Sequence, residues 1–184
     1  MKVKAFGASY SKHSINKSFA VFATTKFEDA EIEILDLNDF PLPLFTVDVE
    51  KSQGIPENAH LFCDKMREAD LIIISLAEHN GSYTAGFKNL FDWTSRKNPK
   101  MFDEKELILL STSPGVRGAA SVMASAMDRF PRHGATILGS FSLPNFKENF
   151  DTKLGILNKE LERQFDQMMN ACKRVFTITN SEIV

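Results

Sequence analysis

Three short segments of this sequence concentrate residues that can bind a phosphate or hold a flat polar ring. They span residues 7–16, 77–83 and 111–118, and each is rich in small, hydroxyl or amide side chains. Hydroxyl and amide groups donate hydrogen bonds to anions, and glycine lets the backbone approach a ligand closely. The candidate binding residues are Ser9, Ser11, Ser14, Ile15, Asn16, Glu78, His79, Asn80, Gly81, Ser82, Tyr83, Ser113, Gly115 and Gly118.

The first of these segments runs directly into a predicted helix. Free amides at a helix N-terminus and the helix dipole attract a phosphate, and Ser9, Ser11 and Ser14 add hydroxyl donors. Each serine taken alone also suits an ordinary helix cap, but three serines close to Asn16 favour an anion site. The segment contains neither G-x-G-x-x-G nor G-x-x-x-x-G-K-[ST], so a monophosphate fits it better than a pyrophosphate.

The second and third segments would flank a flat group between them. Backbone amides in a glycine-containing stretch such as 115–118 can point at carbonyl oxygens or ring nitrogens, although Gly118 also suits a simple turn. His79 is compatible with an aromatic wall of the site or with an exposed loop position. Tyr83 is compatible with a cover over a ring or with packing on the following helix. Glu78 is the carboxylate that we place in the cleft.

Other catalytic and metal-binding patterns are absent from the sequence. There is no G-x-S-x-G elbow and no H-E-x-x-H, and the four histidines have no ligand spacing. Cys63 and Cys172 form no C-x-x-C pair, which argues against a zinc site or a redox dithiol and favours two reduced thiols. We therefore predict no catalytic acid, base or nucleophile and no metal site.

The elements that must position the three segments alternate between apolar runs and amphipathic stretches. Residues Asn38–Ile55 contain two prolines and are a predicted irregular connection, and Trp93 is a predicted core residue. The predicted strands are Val3–Gly7, Glu31–Leu37, Asp70–Leu76, Glu106–Leu110 and Ala135–Leu138. The predicted helices are Ser14–Lys26, Pro56–Ala69, a helix capped by Thr84 that runs through Trp93, Ala119–Phe130 and Thr152–Phe176.

Strict alternation of strands and helices, with fully apolar central strands, indicates an α/β protein. We predict a single domain over residues 1–184 with a flavodoxin-like, doubly wound, five-stranded parallel sheet. The predicted strand order is 2-1-3-4-5, with helices on both faces. In such a sheet ligands bind beyond the carboxyl ends of the strands, near the switch between strands 1 and 3, where the polar segments fall.

The composition is that of an ordinary globular protein, with 43% hydrophobic and 25% charged residues among 184. Proteins bind nucleic acid largely by releasing counterions from its phosphates through an excess of basic residues, and a net charge of −2 supplies no such excess. The N-terminus lacks a secretory pattern, and the longest apolar run, Leu71–Ala77, is too short to cross a bilayer. We expect a cytoplasmic protein with no nucleic-acid or membrane partner.

At the three polar segments the sequence resembles the NAD(P)H-dependent FMN reductase family of flavodoxin-like proteins. Ala8–Asn16 is similar, with imperfect spacing, to the family pattern Gly-Ser-x-Arg-x-x-Ser-x-Asn. Glu78–Trp93 is the most specific match, to Pro-Glu-Tyr-Asn-x-Ser…Gly-x-x-Lys-Asn-x-x-Asp-Trp. Ser113–Gly118 looks like the family loop Ser-Pro-Gly-x-x-Gly. The similarity extends over residues 1–140.

The resemblance implies an oxidoreductase with FMN as cofactor and NAD(P)H as co-substrate. The FMN phosphate would lie on residues 9–16 and its ring between the second and third segments. Hydride would pass from the nicotinamide to the flavin and on to a small-molecule acceptor such as a quinone, free flavin or azo compound. The resemblance also implies a homodimer or homotetramer with the flavin near the subunit interface.

The sequence departs from the family pattern at three positions. Ala77 stands where the family has proline, and His79 stands where it has tyrosine. Lys12 stands near the family arginine and would be a weaker, monodentate phosphate partner. These departures affect specificity more than flavin binding.

Two other functions are compatible with the sequence. A flavodoxin-like electron carrier without its own NAD(P)H turnover would use strong surface charge for docking, which a net charge of −2 does not supply. A flavin-free regulatory relative is the other, because a fold does not fix a function. The sequence contains no recognisable motif for a 2′-phosphate, so NADH and NADPH remain equally compatible with it.

Overall fold

A parallel sheet with helices on both faces forms the centre of the protein. The computed structural model describes residues 1–181, with side chains through residue 175. The strands are β1 Lys2–Ala8, β2 Glu31–Ile34, β3 Leu71–Leu76, β4 Glu78–His79, β5 Ser82–Tyr83, β6 Glu106–Thr112, β7 Thr136–Leu143, β8 Phe150–Asp151 and β9 Gly155–Ile156. The helices are α1 Ile15–Thr24, α2 Val47–Gln53, α3 Glu57–Arg67, α4 Ala85–Lys97, α5 Ala120–Arg129, α6 Phe146–Asn149 and α7 Lys159–Ser181.

The five long strands pair in the order β2-β1-β3-β6-β7, and all of these pairs are parallel. This is the predicted order 2-1-3-4-5, so the fold predicted from the sequence is confirmed. The two short strand pairs, β4 with β5 and β8 with β9, are antiparallel and lie outside the sheet.

Two apolar cores enclose the sheet, one on each face. Every residue of β3 is buried, because alternate side chains of this strand enter opposite cores. Ile72 and Ile74 enter the core that contains residues of α3, α4 and α5, whereas Ile73 enters the core that contains residues of α1 and α7. Trp93 is fully buried, which confirms its predicted place in the core.

Helix α1 begins directly against the carboxyl end of β1. A Cβ atom on Gly7 would lie 2.3 Å from the backbone nitrogen of Lys17, so only glycine permits this approach. Ser14 caps the helix by accepting a hydrogen bond from the Lys17 N–H at 3.2 Å. The N-terminus of α1 is therefore held at the edge of the sheet where the polar segments meet.

The predicted irregular connection over 38–55 is wrong in its second half, where α2 forms. Thr46 caps this helix through the Val49 N–H, and Asp48 and Glu50 complement the positive end of the helix dipole. The two prolines that argued against regular structure lie before Thr46 and do not interrupt the helix. The sequence signal for this helix is a threonine cap followed by acidic residues.

Two predicted boundaries near the C-terminus are also wrong. Strand β7 does not end at Leu138 but continues through Gly139 to Leu143, with a register shift opposite Leu107/Ile108. The last helix does not begin at Thr152: residues 150–156 form the β8–β9 pair, and α7 begins at Lys159. Asn158 caps the first turn of α7 by accepting the N–H groups of the two residues that follow Lys159.

The two cysteines are free and buried, and neither lies in one of the three polar segments. Burial raises the pKa of both thiols to about 11, so they stay protonated at neutral pH.

Within residues 1–181, the length and polarity of every helix are unsuited to spanning a membrane.

Candidate functional site

The three polar segments meet at the carboxyl edge of the sheet and enclose a cavity of about 170 Å³. His13, Ala77, Thr112 and Pro114 also line it and were not predicted. The predicted residues that line the cavity are Ser9, Ser11, Ser14, Ile15, Asn16, Glu78, His79 and Ser113. The predicted residues outside its lining are Asn80, Gly81, Ser82, Tyr83, Gly115 and Gly118.

The hydroxyl groups of the first segment are arranged to donate. Ser9 Oγ accepts the Ser11 N–H at 3.1 Å, and Ser14 Oγ accepts the Lys17 N–H at 3.2 Å. Within the described side chains, neither serine hydroxyl donates a hydrogen bond to the protein. Both serines are only 8% exposed, and they stand where the dipole of α1 is positive. The first segment can therefore bind an anion through hydroxyl and amide donors together.

The side chain of Asn16 is committed to the protein itself. Its Nδ2 donates to the Thr112 carbonyl at 3.1 Å, and its Oδ1 accepts the Thr112 N–H at 3.1 Å and the Ser75 hydroxyl at 2.7 Å. Ser75 and Thr112 belong to β3 and β6, so the amide ties the first turn of α1 to two central strands. Asn16 positions the site, and its side chain has little capacity left for a ligand.

Glu78 holds the second and third segments together. Its Oε2 accepts the Val122 N–H at 2.9 Å, and Oε1 lies 3.7 Å from Arg117. Val122 is in the first turn of α5, whose N-cap residue Ala119 offers no side-chain cap. A carboxylate from another segment therefore caps α5 and adds charge at the favourable end of its dipole.

Thr84 joins the second segment to the first. Its hydroxyl donates to the Ala8 carbonyl at 3.0 Å and accepts the Phe87 N–H at 3.3 Å, which confirms its predicted role as the cap of α4. The three segments are thus tied to one another by side-chain bonds to backbone, and their geometry is fixed by the protein.

The second segment folds as a hairpin that we did not predict. β4 and β5 pair through Glu78 with Tyr83 and His79 with Ser82, and Asn80 and Gly81 form the turn with positive φ angles of 51° and 76°. An Asn-Gly pair is the strongest sequence signal for such a two-residue turn, whereas we predicted both residues only as ligand contacts. His79 is exposed and lines the cavity from the hairpin.

Gly118 adopts the turn that we considered as its alternative role. Its φ is +55°, its N–H donates to the Gly115 carbonyl at 3.2 Å, and a Cβ here would lie 2.9 Å from the backbone of Leu143. The Ser111 hydroxyl donates to its carbonyl at 2.7 Å. The residue shapes the third segment from behind the cavity and does not face it.

Tyr83 packs on the helices behind the hairpin. Its ring is stacked on Phe130 at 6.1 Å between centroids and contacts Phe87 at 5.7 Å. Its hydroxyl oxygen is buried and has no hydrogen-bond partner among the described residues. Burial raises the pKa of Tyr83 to about 12. Of the two roles that the sequence allowed, the structure places Tyr83 in packing.

We expect Tyr83→Phe to stabilise the protein by about 1 kcal/mol, because the change removes a buried hydroxyl that has no partner. The folded pKa of about 12 lies above the usual 10.0, so the wild type loses stability as pH rises from 10 toward 12, and the variant escapes this loss. Denaturant unfolding at pH 7 and across pH 9–12 measures both effects.

The matched control is Tyr10→Phe. The Tyr10 hydroxyl donates to the Phe40 carbonyl at 3.3 Å, so the same substitution there removes a bond and lowers stability. Equal signs for the two variants would contradict the assignment of an unpartnered hydroxyl at Tyr83.

In the described part of the chain, no group of three or more His, Cys, Asp or Glu side chains is placed to hold a metal ion. Thr112 lies in the third polar segment but was not among the predicted binding residues; the structure places it at the end of β6, two residues beyond the predicted strand end at Leu110. Its position directly before Ser113 was the available signal.

Comparison with known proteins identifies the family that the sequence resembles. The sequence profile of NADPH-dependent FMN reductases matches residues 1–148, which confirms the resemblance seen in the three segments. The quinone reductase of Escherichia coli K12 is 31% identical over 90 residues, which cover 47% of this chain and 48% of that protein. The chain thus matches about half the length of this relative.

Two further similarities extend over nearly the whole chain. The NADH-dependent flavin reductase subunit 2 of Lactobacillus johnsonii is 25% identical over 179 residues, which cover 92% of this chain and 94% of that protein. The solved structure of the NAD(P)H:acceptor oxidoreductase FerB from Paracoccus denitrificans superposes with a TM-score of 0.71 at 22% identity, covering 94% and 97% of the two chains. The structural likeness supports the fold.

Proposed function

We propose, from the premise that this chain belongs to the NADPH-dependent FMN reductase family, that it is an FMN-dependent NAD(P)H oxidoreductase. Its acceptor is a small molecule such as a quinone, free flavin or azo compound. When bound, FMN supplies the redox chemistry by taking hydride from NAD(P)H and giving electrons to the acceptor. The protein binds, orients and shields these groups.

The observation that carries the proposal is the donor set at the N-terminus of α1. Ser9 and Ser14 are buried, keep their hydroxyl protons free of the described side chains, and stand at the positive end of a helix dipole. A phosphate monoester is an anion with several acceptor oxygens, so the donors fit the FMN phosphate.

The size of the cavity indicates which part of FMN it takes. Its 170 Å³ is below the roughly 300–1,000 Å³ of a full ligand pocket, so it suits the phosphate arm. The flavin ring would then be held at the rim, which is formed by the β4–β5 hairpin and the third segment. His79 and Ser113 line the cavity from these two elements and are placed to contact the ligand beyond its phosphate. Asn16, Glu78 and Thr84 orient the three segments.

We also propose a homodimer or homotetramer in the cytoplasm. Large apolar side chains are exposed, among them Leu44 at 76% and Val116 at 78%. Covering them with a second subunit removes apolar surface from water. Size-exclusion chromatography with light scattering measures the assembly, and a monomer at micromolar concentration would contradict it.

Purified protein is expected to absorb in the flavin bands, bleach on anaerobic addition of NADPH, and recover its colour when a quinone is added. Spectrophotometry follows all three steps in one cuvette. A yellow protein that NADPH leaves unbleached would indicate an electron carrier that depends on a partner. A colourless protein that takes up no FMN on titration would indicate a flavin-free function.

A further inference from the structure

A second cavity lies between α4 and α5, behind the β4–β5 hairpin. It measures about 460 Å³, which is within the roughly 300–1,000 Å³ of pockets that take small molecules. It shares no lining residue with the cavity of the proposed phosphate site. We call it the α4–α5 cavity, and the lining residues that decide its chemistry are Tyr83, Phe91, Arg129 and His133.

Two buried polar atoms of this lining have no hydrogen-bond partner. They are the hydroxyl oxygen of Tyr83 and Nε2 of His133, and they are the two such atoms found among the half-buried and buried side chains that the structure describes. Buried polar atoms in folded proteins are almost always paired, because an unpaired atom keeps the cost of its desolvation. That both belong to one cavity indicates a ligand whose polar groups meet them.

The two atoms need opposite kinds of partner. Nδ1 of His133 lies 2.7 Å from the Pro99 carbonyl oxygen, which can only accept, so Nδ1 carries the hydrogen. Nε2 of the neutral ring is therefore an acceptor that needs a donor. Burial raises the pKa of Tyr83 to about 12, so its hydroxyl keeps its proton and can donate. A ligand that satisfies both atoms carries a hydroxyl donor and an acceptor oxygen.

Arg129 supplies a positive charge that the protein leaves uncompensated. It takes part in no ion pair with another described side chain. The other charged residues of the lining are held in ion pairs, namely Lys88 with Asp92 at 2.6 Å and Asp128 with Arg132 at 3.4 Å.

The guanidinium of Arg129 lies near the Tyr83 hydroxyl. Burial is the main cause of the raised pKa of Tyr83, and the charge of Arg129 acts on the same hydroxyl in the opposite direction. A guanidinium and a hydroxyl that both donate are suited to a carboxylate, because its two oxygens accept several hydrogen bonds. The acceptor oxygen of the ligand is therefore best supplied by a carboxylate.

Phe91 adds a flat apolar wall to the cavity. Its ring contacts both residues that carry the unpartnered atoms, with centroids 4.7 Å from His133 and 6.4 Å from Tyr83. An aromatic ring that packs against Phe91 gains from stacked or edge contacts beyond the burial of its area. It also carries its substituents toward the polar atoms on either side.

We propose that the α4–α5 cavity is a second binding site, for a small aromatic carboxylate that also carries a hydroxyl group. The carboxylate accepts hydrogen bonds from Arg129 and from the Tyr83 hydroxyl. The ring packs on Phe91, and the ligand hydroxyl donates to Nε2 of His133. This site is separate from the one proposed for FMN, and the inference does not depend on the proposed function.

The test is a calorimetric titration of the purified protein, with and without added FMN. The probes are the three monohydroxybenzoates, benzoate, which lacks the donor for His133, and phenol, which lacks the carboxylate for Arg129. At least one hydroxybenzoate is expected to bind about ten-fold more tightly than benzoate or phenol, the scale of one net hydrogen bond. No binding, equal affinity for all five probes, or binding that releases FMN would overturn the proposal.

Tyr83→Phe is expected to weaken binding of the best hydroxybenzoate by about ten-fold. Because the same change is expected to stabilise the fold, unfolding cannot account for the loss. Tyr10→Phe is the matched control and is expected to keep the wild-type affinity, since Tyr10 does not line the cavity. Wild-type affinity in folded Tyr83→Phe would contradict the assignment.

The other two polar partners are tested in the same way. Arg129→Gln is expected to weaken hydroxybenzoate about ten-fold and to leave phenol unchanged, whereas Arg174→Gln, an equal charge change at an exposed position of α7, leaves both unchanged. His133→Asn keeps a donor for the Pro99 carbonyl and removes Nε2, so this variant is expected to bind hydroxybenzoate no more tightly than benzoate. A folded Arg129→Gln variant that keeps the affinity for hydroxybenzoate would overturn the site.

Discussion

The double substitution Ser9→Glu with Ser14→Glu is expected to weaken FMN binding by more than about 100-fold, or roughly 3 kcal/mol. Both hydroxyls are buried at the N-terminus of α1 and are free to donate, so the change replaces two donors with two negative charges. The carboxylates would face the FMN phosphate at short range and repel it. Fluorescence titration of FMN into flavin-stripped protein measures the loss.

The control for charge is Ser52→Glu with Ser125→Glu, which adds the same two carboxylates at exposed positions of α2 and α5. It is expected to bind FMN like the wild type. Ser14 also caps α1, so the test variant loses about 1 kcal/mol of stability while remaining folded by circular dichroism. A folded double variant that keeps wild-type affinity would place the phosphate elsewhere.

Asn16→Ala is expected to lower the free energy of unfolding by roughly 2–4 kcal/mol. The substitution removes three buried hydrogen bonds and leaves the Ser75 hydroxyl and the Thr112 amide without partners in the core. Buried polar groups that lose their partners keep the full cost of their desolvation. Thermal unfolding is expected to shift down by about 6–12 °C in a domain of this size.

The matched control is Asn58→Ala. The Asn58 amide makes a single bond, to the Pro41 carbonyl at 2.8 Å, in an exposed setting. Its loss is expected to cost less than about 1 kcal/mol. If both variants unfolded at the same denaturant concentration, the assignment of Asn16 as the bridge between α1, β3 and β6 would be wrong.

The sheet was predictable because its central strands are recognisable in the sequence as short apolar runs. Leu71–Leu76 is aliphatic apart from Ser75 because both faces of the strand are covered, and the alternation of such runs with helices indicates a parallel sheet. The end of the edge strand β7 was harder to predict. Its sequence mixes glycine and serine with apolar side chains, and Gly139 is typical of a residue that ends a strand.

The site was predictable as a location more readily than as a set of contacts. The rule that ligands bind at the carboxyl ends of strands predicted that the three segments lie together, and in the structure all three line one cavity. Residue type alone did not show that the side chain of Asn16 hydrogen-bonds to Thr112 and that of Glu78 to Val122, because these partners are distant in sequence. Hydrogen bonds between distant segments require the three-dimensional arrangement.

The hydrogen bonds of Asn16, Glu78 and Thr84 fix some parts of the three segments and leave others free to vary in sequence. They anchor the base of each segment, whereas the tip of the β4–β5 hairpin around Asn80 and Gly81 is exposed. A ligand that arrives at a rigid base loses little affinity to loop ordering. Under the proposed function, we expect substitutions at the tip to change the range of electron acceptors more than the affinity for FMN, so that these two properties can evolve separately.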